Sequence, residues 1–75
     1  MKKFPSLTAK EVIRKMRKAG FVFDRQAKGS HEIWRNPTIK RRTTVPNHPG
    51  MTIPKGTLKA IIKEAGLTSD EFFDL

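Results

Sequence analysis

The stretch Thr8-Ala9-Lys10-Glu11-Val12-Ile13-Arg14-Lys15-Met16-Arg17-Lys18-Ala19-Gly20-Phe21-Val22-Phe23 holds a helix start, a helix stop and a change of period. Thr8 and Glu11 have the spacing of a capping box, in which the Thr8 hydroxyl accepts from the backbone of Glu11 while the Glu11 carboxylate reaches back. Leu7 and Val12 are placed as its hydrophobic staple. A helix is predicted over residues 9–19, and Gly20 supplies the left-handed residue that ends it. Wound as a helix, Val12, Ile13, Met16 and Ala19 gather on one arc, while Lys10, Arg14, Arg17 and Lys18 gather on the opposite one. The helix therefore has a core face and a cationic face.

Past Gly20 the pattern becomes β. Phe21-Val22-Phe23 opens a strand, residues 26–29 read as a turn, and residues 30–35 form a second strand containing Ile33 and Trp34. Asn36-Pro37 marks the next turn, residues 40–45 a third strand, and Pro46 closes it. Alternation puts His31, Ile33 and Arg35 on one face and Glu32 and Trp34 on the other, and leaves open which face meets the helices. Pro46-Asn47-His48-Pro49-Gly50 cannot continue a central strand, because two prolines remove ladder donors, so it is a loop. Pro54 then suits a helix start, and Leu58, Ile61, Ile62 and Ala65 recur at i, i+3, i+4 and i+7 as the main apolar lid. Gly66 stops that helix, and Thr68 to Glu71 repeats the capping box before a short helix carrying Phe72, Phe73 and Leu75. The expected fold is α+β in one domain over residues 1–75, ordered α-β-β-β-α, with a three-stranded antiparallel sheet, helices packed on one face and a short C-terminal helix.

A 75-residue chain has room for one small core, which excludes multidomain enzymes and deep cofactor pockets. With no cysteine there is neither a disulfide framework nor a thiolate zinc cage. No run approaches the roughly 20 apolar residues of a membrane span, and no apolar stretch follows Met1 to Pro5, so a soluble cytoplasmic domain without a membrane partner is expected. Sixteen Lys and Arg against seven Asp and Glu give a net charge of +9. Eight basic and two acidic residues fall in 1–25, five and one in 26–50, and three and four in 51–75, so the excess sits in the first two thirds. Such a balance is the footprint of a polyanion partner, against the plainer reading of a solvated lysine coat.

The residues that could carry chemistry are few. Gly29-Ser30-His31 stands where a turn enters the second strand: glycine permits close backbone approach, serine offers a donor and acceptor, and histidine transfers protons near neutrality. A lone histidine in such a place is as a rule structural or solvated. Lys28 immediately before it, Arg25 nearby and Arg35 on the same strand face favour a functional role. His48, between Asn47 and Pro49, reads as a residue that orders its own loop through backbone carbonyls. Two histidines without cysteine argue against zinc, and scattered carboxylates argue against a magnesium centre, so no cofactor is expected. Lys40-Arg41-Arg42 is either a charge-protected edge strand or a phosphate contact. Trp34 reads as a packing residue, since no neighbouring aromatics make a base-stacking platform.

Taken in order, Leu7-Thr8 with Glu11-Val12-Ile13, Ala19-Gly20-Phe21, Gly29-Ser30-His31 with Trp34, Val45-Pro46 with His48, and Gly56-Thr57-Leu58 through Ile61 to Ala65-Gly66-Leu67 resemble the HicA family of toxin mRNA interferases. The resemblance spans nearly the whole chain. It implies a fold like the double-stranded-RNA-binding domain, a ribosome-independent ribonuclease acting on messenger RNA, and a HicB-type antitoxin that masks the site. The family's functional histidine carries over to His31 alone. The mechanism expected from the residues is metal-free: His31 takes the proton of a ribose 2′-hydroxyl, which attacks the adjacent phosphate. Lys28, Gly29, Ser30 and Arg35 would surround that phosphate, and Lys10, Arg14 and Lys18 would hold the RNA backbone further away. The competing readings are a non-catalytic module that grips duplex RNA by shape, and a DNA-binding regulator, which lacks a recognisable helix-turn-helix.

Overall fold

The computed structural model describes residues 5–75; Lys2 and Lys3, counted in the N-terminal charge, lie outside the described residues. Its elements run α1 (Ala9–Lys18), β1 (Val22–Gln26), β2 (His31–Asn36), β3 (Arg41–Pro46), α2 (Lys55–Glu64) and α3 (Ser69–Phe73). The α-β-β-β-α order and the short last helix are those the sequence predicts.

Both halves of the first capping box are formed. Thr8 Oγ1 accepts from Glu11 N–H at 3.2 Å, and Glu11 Oε1 accepts from Thr8 N–H at 2.9 Å. The helix ends one residue earlier than predicted, with Ala19 as its cap. The Phe21 amide donates to the Met16 carbonyl and the Gly20 amide to the Arg17 carbonyl, each at 3.0 Å, which is the paired closure of a Schellman motif. Gly20 has φ +99, and a Cβ there would stand 3.1 Å from Asn36 Nδ2. That same nitrogen donates to the Ala19 carbonyl at 3.1 Å, so the buried Asn36 at the end of β2 binds the helix stop to the sheet.

The strands form one antiparallel sheet in the order β1-β2-β3. Phe21 drops into the core before β1 begins, and an irregularity between Phe23 and Arg25 leaves Asp24 without a cross-strand partner. Lys40 takes φ +54 in the β2–β3 turn, so β3 starts at Arg41 and runs on to Pro46, opposite His31. Trp34, Thr43 and Val45 are buried, which decides the question alternation left open. The Trp34 face meets the helices, and His31, Ile33 and Arg35 lie on the other face.

Val12 and Met16 of α1, Leu58, Ile61, Ile62 and Ala65 from α2 and its cap, and Phe72 of α3 close over the sheet face. Each such side chain contributes about 1.5–3 kcal/mol by leaving water, except the small Ala65. Polar contacts then fix α2 against β3. Thr43 Oγ1 donates to Glu64 Oε1 at 2.6 Å, and Arg41 Nη1 donates to the Glu64 carbonyl at 3.2 Å, supplying a donor and a positive charge to the helix C-terminus. Arg41, ambiguous in the basic run, thus has a structural task. Lys15 Nζ ties α1 to the C-terminal helix by donating to the carbonyls of Phe73 and Leu75 at 3.2 and 2.9 Å.

Candidate nucleic-acid interface

The turn ahead of β2 is closed from inside. The Ala27 amide donates to the His31 carbonyl at 2.7 Å, the His31 amide to the Lys28 carbonyl at 3.3 Å, and Gln26 Nε2 to the carbonyls of Gly29 and His31 at 3.0 and 3.1 Å. Gly29 has φ +65, and a Cβ there would meet nothing within 4 Å. Glycine is needed for backbone conformation, and the space above the turn is open. His31 follows as the first residue of β2 and is exposed.

The loop after β3 is held against this turn. The Asn47 amide donates to the Ser30 carbonyl at 2.9 Å, and Asn47 Nδ2 donates to Glu32 Oε2 at 2.9 Å. Glu32 Oε1 in turn accepts from Trp34 Nε1 at 3.1 Å. The next residue, His48, places Nε2 2.8 Å from Ser30 Oγ. The expectation that His48 bonds backbone carbonyls is therefore corrected: its ring partner is a side chain of the Gly29-Ser30-His31 turn, because β2–β3 pairing brings Pro46 opposite His31 and delivers the loop there.

Two grooves meet at this loop. One, of about 880 Å³, runs between α1 and residues 47–50 and is lined by Lys10, Arg14, Arg17 and Lys18. The other, of about 460 Å³, lies between β3 and α2 and includes His31, Thr57 and Glu64. His48 lines both. The cationic face of α1 and His31 thus border neighbouring depressions that share one residue. Glu11, at the start of the first groove, has its carboxyl held below the ordinary value by the Thr8 backbone hydrogen bond first, then by the Thr8 hydroxyl.

Lys28, Gly29, Ser30 and His31 are adjacent at the turn, and Lys10, Arg14 and Lys18 stand together on α1. Arg35 shares the face of His31 but lies about 13 Å further along the strand. Its Nε is 3.8 Å from Asp24 Oδ1. The structure does not bring Arg35 to the turn. Arg17 joins the groove and also sits 5.3 Å over the Trp34 ring, a cation–π contact. Sequence reasoning missed the Ser30–His48 and Glu32–Asn47 pairs; the only signal for them was the histidine held in a proline-bounded loop. Among the described residues no three His, Asp or Glu side chains cluster as a metal site requires, and no helix is long and apolar enough to cross a membrane.

The family model of the HicA toxin of bacterial toxin–antitoxin systems matches residues 9–67. The chain belongs to the HicA toxin family. The matched span covers α1, the sheet and α2, hence both grooves and the turn between them. No curated protein matches the chain. As a HicA toxin it is one half of a toxin–antitoxin pair, and an antitoxin is its partner.

Proposed function

We propose that this HicA toxin is a ribosome-independent endoribonuclease that cuts messenger RNA in the cytoplasm by metal-free transesterification. The observation that carries the reading is the placement of His31: an exposed proton carrier next to an open turn, lining a groove that shares His48 with the groove of the α1 cations. A flexible RNA strand needs an open surface, and the grooves offer one.

In this reading the His31 imidazole takes the 2′-hydroxyl proton as the 2′-oxygen attacks phosphorus. General-base action of this kind contributes about 10²–10⁴-fold. Lys28 and the backbone of Gly29 and Ser30 face the charge that builds on the phosphate, and Lys10, Arg14, Arg17 and Lys18 hold flanking phosphates. Arg35 contacts RNA beyond the reacting linkage. A HicB-type antitoxin with an acidic surface would be drawn to the same cations and would exclude RNA from them.

The test is cleavage of RNA by the purified chain in EDTA, compared with His31→Ala. The wild-type chain is expected to cut and the variant to bind RNA without cutting it. Unchanged cleavage by His31→Ala removes His31 from the reaction, and loss of wild-type cleavage in EDTA removes its metal-free character. Intact RNA with tight, salt-sensitive binding by the wild-type chain would instead identify a binding module.

A further inference from the structure

A single histidine leaves one half of the proposed reaction unaided. The departing 5′-oxygen is an alkoxide, a poor leaving group unless a proton reaches it as the bond to phosphorus breaks. The structure places a second histidine in the lining of the groove that includes the first, and holds it firmly. His48 follows Asn47, whose amide is bonded to the Ser30 carbonyl of the turn and whose side chain is bonded to Glu32 of β2, and its Nε2 lies 2.8 Å from Ser30 Oγ. Its ring is exposed and stands where the α1 groove and the His31 groove meet.

We propose that His48 is the proton donor of the cleavage reaction, acting opposite His31; this rests on the ribonuclease reading above. The 2′-hydroxyl proton passes to the His31 imidazole, and the 2′-oxygen bonds to phosphorus. The bond from phosphorus to the 5′-oxygen breaks with its electron pair on oxygen, and protonated His48 gives that oxygen a proton from Nδ1. The products are a 2′,3′-cyclic phosphate and a 5′-hydroxyl, with His31 protonated and His48 neutral; exchange with water restores both. Ser30 is a positioning residue. Its Oγ accepts the His48 Nε2–H, which holds the ring and leaves Nδ1–H to serve as the donor. The same hydrogen bond explains why a serine precedes His31 at the turn without any nucleophilic role for it.

A loop-ordering histidine and a proton donor differ in their response to the leaving group. RNA is made with sulfur replacing the 5′-bridging oxygen at a linkage the wild-type chain cuts, since a thiolate departs without a proton. On ordinary RNA, His48→Ala is expected to lose about 10²–10⁴-fold in rate. On the sulfur-bridged RNA it is expected to approach the wild-type rate, whereas His31→Ala stays impaired on both. His48→Gln, which can still bond Ser30 Oγ and so keep the loop in place, is expected to behave as His48→Ala does. Ser30→Ala should show a smaller loss that the sulfur substrate also reduces. Equal impairment of both His48 variants on the two substrates, or wild-type cleavage of ordinary RNA by either, overturns the proposal while leaving the role of His31 standing. A wild-type chain that cuts neither substrate overturns the ribonuclease reading and this inference together.

Discussion

Glu32 Oε2 accepts a hydrogen bond from Asn47 Nδ2 at 2.9 Å, joining the second residue of β2 to the loop that carries His48. The other carboxylate oxygen accepts from the indole of Trp34, which is 2% exposed. One side chain thereby satisfies a buried donor and anchors the loop. Glu32→Ala should destabilise the fold by about 1–3 kcal/mol, the cost of a buried donor left without its acceptor. Asn47→Ala removes only the loop anchor, and should cost less stability while lowering RNA cleavage. Urea unfolding and cleavage rates on the same two proteins separate the effects.

The cations of α1 make a prediction about salt. Arg14 and Lys18 are exposed and line the larger groove, and among the described residues neither makes a salt bridge. Replacing both with Gln should leave unfolding nearly unchanged and weaken RNA binding for all sequences alike. The slope of log affinity against log salt should become shallower by roughly 0.7 for each lost contact to single-stranded RNA. Binding titrations at several salt concentrations measure it; an unchanged slope would mean that RNA does not follow this groove.

Acid should loosen α1 at its first turn. The Glu11 carboxyl is held below the ordinary value of a glutamate, chiefly by the Thr8 backbone hydrogen bond. A carboxyl lowered by folding contributes stability that is complete above its unfolded value and lost as pH falls through the folded one. Glu11→Gln should therefore be less stable than the wild type near neutrality, and the gap should close below about pH 4.5. Denaturant midpoints of the two proteins between neutral and acid pH provide the check.

What the sequence made legible follows from the distance over which each device acts. The capping boxes Thr8–Glu11 and Thr68–Glu71 and the stop at Gly20 involve residues within a few positions, so their chemistry can be read directly. Alternation placed His31 and Arg35 on one face of β2, but only the burial of Trp34 and Val45 shows which face that is. The Arg41 contact spans 23 residues to Glu64, and the Ser30–His48 contact spans 18. Both depend on strand pairing, so a basic run and a lone histidine were ambiguous until β3 was in place. The place of Arg35 was illegible for a simpler reason: sharing a face with His31 says nothing of distance along the strand.

The central claim is that a ribose 2′-hydroxyl, activated at His31, breaks the RNA chain. Its most direct measurement is the chemistry of the cut ends produced by the purified wild-type chain in EDTA, on RNA with and without a single 2′-deoxy substitution at the cleaved linkage. The account predicts an upstream 2′,3′-cyclic phosphate, a downstream 5′-hydroxyl, and no cut at the substituted linkage. A 3′-hydroxyl with a 5′-phosphate, or cleavage that proceeds through the 2′-deoxy position, would contradict it.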